Sequence, residues 1–113
     1  MMRLAVKDII SSTVAISQTS GIRLYEEVKE KVVSRTPVVV SFDGIENLSS
    51  AFCNAFLGKL YMEFGEEQLN NLIQIVGTES NEVWAERIRM AKVLGVNEKF
   101  RKADQENLSE LFN

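Results

Sequence analysis

The segment from Pro37 to Gly65, PVVVSFDGIENLSSAFCNAFLGKLYMEFG, constrains the fold more tightly than any other part of the chain. Its opening run, Val38-Val39-Val40-Ser41-Phe42, is rich in β-branched residues, follows the only proline, and predicts a buried central strand. Asp43-Gly44 breaks the run, and Asn47, Ser49 and Ser50 supply helix-start chemistry. From Ala51 onward Phe52, Phe56, Leu60 and Phe64 recur every four residues, with Ala55, Leu57 and Tyr61 beside them, which predicts a helix with a broad apolar face. A polar turn held between a buried strand and a buried helix is a common place for recognition, because rigid elements support it at the sheet's edge. Asp43, Asn47, Ser49, Ser50 and, one turn into the helix, Asn54 are therefore candidate partner-binding residues. The plainer alternative is that Asp43-Gly44 only makes the turn and that the Asn and Ser residues only cap the helix.

The flanks complete an α/β pattern. Residues 2–10 and 13–17 read as two strands paired in a hairpin across Ser11-Ser12. A helix capped by Ser20 runs to about Val33, with Ile22, Tyr25, Val28 and Val32 as its apolar stripe. Asn70 to Val76 reads as a strand parallel to the central one and ended by Gly77; Thr78, Ser80 and Asn81 offer caps for a helix that Gly95 closes. Trp84 on that helix suits either the core or an interface. The tail, residues 96–113, carries blocks of opposite charge and then Leu108, Leu111 and Phe112; a short helix is expected, packed on the domain, forming a partner or homodimer surface, or disordered. The predicted order is β-β-α-β-α-β-α plus a C-terminal helix, with a central mixed four-stranded sheet covered by helices.

At 113 residues the chain is expected to form a single domain spanning 1–113. A net charge of −3 argues against a nucleic-acid partner. With no histidine there is no Ser-His or Cys-His relay within the chain and no imidazole metal ligand. No carboxylate pair has a catalytic setting, so no enzyme activity, metal or cofactor is expected. Cys53, the lone cysteine, reads as a small buried apolar residue rather than a reactive thiol. Arg3, Lys7 and Asp8 interrupt the N-terminal apolar residues, so neither a signal peptide nor a membrane span is expected, and a cytoplasmic location is.

The run Val38 to Ile45 followed by Asn47-Leu48-Ser49-Ser50-Ala51-Phe52 resembles the STAS superfamily of anti-sigma-factor antagonists, most closely its STAS-like branch of unknown function. The resemblance implies a non-catalytic regulatory module that docks a protein partner through residues 43–51, the partner being a GHKL-type ATPase/kinase or a signalling protein. In regulatory STAS proteins this turn reads Asp-Ser-Ser/Thr-Gly and its serine is phosphorylated, which implies Ser50 as a candidate phospho-acceptor. Ser49 here stands at the Asp position and Phe52 at the Gly position, a departure that bears on the phosphorylation rather than the fold. The alternative function is a small mobile-element-encoded inhibitor that binds a larger host machine.

Overall fold

The computed structural model describes the backbone of residues 2–112 and the side chains of residues 2–103. Three strands form a parallel sheet in the order β1 (Met2–Ala5), β3 (Val38–Ser41), β5 (Ile73–Val76). Met2, Val38 and Ile73 share one row of the register, and Leu4, Val40 and Ile75 another. The β-branched run thus takes the middle place, with Val38 and Val40 buried and pointing to the same side, as alternation along a strand requires.

The sheet differs from the mixed four-stranded expectation: among the described residues there is a parallel sheet of three strands and a parallel pair, β2 (Val14–Ala15) with β4 (Asn47–Leu48). The predicted hairpin does not form. Val6–Ile10 is a helix, α1, whose Val6 and Ile10 lie four apart and are both buried, a spacing that one helical turn brings to one face. β2 then takes its partner from beyond the central strand, and Ser49 N–H donates to the Ala15 carbonyl at 3.0 Å to extend the pair.

α2 (Gln18–Val33) starts earlier than expected: Ser17, not Ser20, is the cap, and its oxygen accepts from the Ser20 N–H at 3.1 Å. Leu24, Tyr25, Val28 and Val32 are buried on it, whereas Ile22 is exposed. α3 (Ser50–Cys53), a π-helical segment (Asn54–Gly58) and α4 (Lys59–Phe64) follow one another without a break. α5 (Glu66–Leu72) takes up Asn70 to Leu72, so only Ile73–Val76 of the predicted strand is extended, parallel to β3 as expected.

α6 spans Glu82–Phe112, with Asn81 Oδ1 accepting from the Trp84 N–H at 3.1 Å. The expected stop at Gly95 and the separate tail helix give way to one continuous helix. The side chains of Leu108, Leu111 and Phe112, expected as a tail patch, lie outside the described residues. Gly95 is where α6 crosses the π segment: a Cβ there would stand 2.3 Å from the Gly58 carbonyl oxygen, so only glycine admits the approach. The core lies between the sheet and the helices, where Phe42 meets Phe52 edge-on at 6.4 Å between ring centroids. Trp84 is half-buried and packs against this core.

Candidate functional site

Asp43 stands just past the end of β3, and the turn it enters is closed by the Ile45 N–H donating to the Phe42 carbonyl at 3.1 Å. Gly44 supplies the positive φ of 84° that this turn needs. The Asp43 carboxylate projects outward, its side chain 70% exposed, and pairs with Arg3 at 3.1 Å. Arg3 also donates to Ser41 Oγ at 3.2 Å, so the basic side chain of an edge strand steadies the rim of the central one. An exposed ion pair of this kind contributes little stability, leaving both charges available to an approaching group.

The chain does not pass straight from this turn into the helix. Glu46 N–H donates to the Thr13 carbonyl at 2.7 Å, Thr13 Oγ1 donates to Glu46 Oε2 at 2.9 Å, and β4 docks on β2. Asn47 is exposed on that short strand, while Leu48 is buried beneath it. The interval from Asp43 to Ser49, expected as one loop, is thus two structures: a turn on the main sheet, holding Asp43, and a strand on the small one, holding Asn47.

Ser49 and Ser50 have different surroundings. Ser49 is half-buried and caps α3, accepting from the Phe52 N–H at 3.0 Å and donating to the Ile16 carbonyl at 2.7 Å. Ser50 occupies the first helical position and is exposed. Asn54 lies one turn further along on the same side of the rod and is also exposed. Ser50 and Asn54 therefore form one surface with Ser49 as its support, while Asp43 belongs to the neighbouring rim built with Arg3. Phe52, at the position where regulatory STAS proteins carry glycine, is fully buried.

Asn54 borders a groove of about 400 Å³ between α2, the π segment and α6. Ala55, Gly58 and Gly95 floor it, and Ile22, Met62 and Leu94 supply apolar walls. The groove is hidden from the sequence because Ile22 falls on the expected core stripe of α2 and Gly95 reads as a helix end. The signal available was two glycines that meet at a helix crossing, legible only once the crossing is known.

Cys53 is buried, and burial pushes its thiol up to about 12 against the opposing pull of the Arg87 charge, so the thiolate is scarce at neutral pH. Among the described residues, no group of three or more Cys, Asp or Glu side chains is arranged to hold a metal ion. Among the same residues, no helix is long and apolar enough to cross a membrane.

A family model described as "STAS-like domain of unknown function (DUF4325)" matches residues 20–83, more than half of the chain. The match takes in α2, the central strand, the turn, the broken rod and β5. No curated protein and no solved structure matches the chain.

Proposed function

The chain belongs to the family of STAS-like domains of unknown function, and from that premise we propose that it is a non-catalytic regulatory module that docks a protein partner. The contact surface is Ser50 and Asn54 on the rod, with Asn47 and the Asp43 rim beside it. One observation carries this reading: two adjacent serines have separate roles, Ser49 capping the helix while Ser50 stands exposed at its first position. A hydroxyl that the fold does not use is available for a partner or for modification. A phosphate on Ser50 would meet free backbone N–H groups of the first turn and bring roughly −1.5 to −2 charges to the surface. The resemblance to regulatory STAS proteins suggests a GHKL-type ATPase/kinase or a signalling protein as the partner.

The test is affinity capture from the native host with the parent chain and an Asp43→Ala, Ser50→Glu double variant, read by mass spectrometry. Both substitutions lie on exposed positions, and an acidic residue in the first helical turn favours the helix, so the variant is expected to fold. The parent should retain a partner that the variant loses. A partner held equally by both places the contact elsewhere.

A further inference from the structure

A second cleft, of about 330 Å³, lies between α5 and α6 beside the buried Tyr61 of α4. Glu66 and Asn70 line it from α5, four residues apart. From α6 come Lys92 with Val96 and Val93 with Asn97, also four apart, so each helix turns one face to the cleft. The Tyr61 hydroxyl donates to Asn70 Oδ1 at 2.6 Å, and the Asn70 amide nitrogen has no partner among the described residues. Burial and, secondly, the Glu66 charge raise the Tyr61 hydroxyl to about 12, so it stays protonated and keeps donating at neutral pH. Lys92 is half-buried, its ammonium 5.9 Å from the centroid of the Tyr61 ring. Lys92 and Glu66 thus face one cleft, yet among the described residues neither belongs to an ion pair. Val93 and Val96 set apolar surface beside the two charges.

Opposite charges that line one cleft without meeting suit a ligand that carries both signs. A simple anion would be drawn by Lys92 and repelled by Glu66, and a simple cation the reverse. A zwitterion is attracted by both. The volume lies at the small end of the range for ligand sites, roughly 300–1,000 Å³, which suits one amino acid better than a nucleotide or a peptide. We propose that this cleft binds a free α-amino acid with an apolar side chain. Its carboxylate meets the Lys92 ammonium and the Asn70 amide nitrogen, its ammonium meets Glu66, and its side chain lies on Val93 and Val96. The Asn97 amide, with both a donor and an acceptor, can serve either end. The cleft shares no residue with the docking surface proposed above, and Lys92 to Asn97 lie beyond residues 20–83 that the family model matches.

The test is an NMR titration of the isotope-labelled full chain with L-valine, L-leucine and L-methionine in turn, each to roughly 20 mM. At least one should bind with a Kd of about 1 mM or tighter and move the amide resonances of residues 61–70 and 92–97 together. Its carboxamide, which lacks the carboxylate, and its desamino acid, which lacks the ammonium, should each bind about fivefold or more weakly. Lys92→Gln and Glu66→Gln should weaken binding of the amino acid by a similar factor. Their circular dichroism spectra should be unchanged, since Glu66 is exposed and Lys92 only half-buried. If none of the three amino acids binds, or if the shifts fall away from the cleft, the proposal is overturned. An analogue that binds as tightly as the amino acid overturns recognition of a zwitterion, and parent-like affinity in both variants overturns the roles given to the two charges. The analogues are tested on the unaltered chain, so a variant that failed to fold would leave the outcome decided.

Discussion

Ser49 and Ser50 show how far neighbouring identical residues can diverge once the backbone is set. Ser49 is extended and its oxygen meets the Phe52 N–H, whereas Ser50 already has helical neighbours and faces solvent. Losing a cap of this kind costs about 1 kcal/mol, whereas an exposed substitution at the next position usually stays within about 0.5 kcal/mol. Urea unfolding of Ser49→Ala and Ser50→Ala should therefore separate the two, with only the first clearly destabilised. Equal losses would mean that the capping role is shared. Local chemistry limits the cap to Asn47, Ser49 or Ser50 but does not choose among them. That choice depends on where β4 ends, and β4 is held by β2 through long-range bonds that no local pattern reveals.

At the scale of elements, spacing alone is a good guide to Phe52, Phe56 and Leu60, all fully buried. Residues four apart drift by about 40° around an ideal helix, so a strict four-residue repeat would wind off the core within a few turns. The π-helical segment lies within this repeat, where its wider turn takes up part of the drift. Gly95 is a case where spacing misleads: a glycine after an apolar helical stretch resembles a C-cap, but its role here is set by Gly58 on another element. Gly95→Ala distinguishes the two roles by the sign of its effect. In an open helix interior the change would stabilise by up to about 1 kcal/mol. Against the Gly58 carbonyl it should instead cost about 1–3 kcal/mol through overpacking, measurable as a lower urea midpoint. The central strand and its turn are legible because β-branched runs and Asp-Gly act locally. The pairing of β2 with β4 is not, because both strands are two residues long and carry no periodicity.

Across the whole molecule, a polar clamp joins two helices that are distant in sequence. The buried Tyr25 of α2 donates its hydroxyl to Glu63 of α4, Lys29 donates to the same hydroxyl at 3.0 Å, and Lys29 pairs with Glu63 at 3.1 Å. Partial burial works to raise the Glu63 pKa, but the hydrogen bonds from Tyr25 and Lys29, with the charges of Lys29 and Lys59, prevail and hold it below the usual carboxylate range. A carboxylate depressed in the folded state stabilises the fold above its unfolded pKa, and that contribution is lost as pH falls through the folded value. Glu86 and Glu98 are lowered too, by Arg89 and Arg101, but those pairs are exposed and lie within α6, so they tie no elements together. Protonating the many other carboxylates leaves the basic residues unopposed and destabilises any variant alike. Comparing Glu63→Gln with the parent cancels that general effect. The two urea midpoints should be separated at pH 7, with the variant lower, and should converge as pH falls through the lowered folded value and the parent's Glu63 becomes neutral. A gap that persists undiminished in acid would mean that Glu63 acts through packing and neutral hydrogen bonding rather than through its charge.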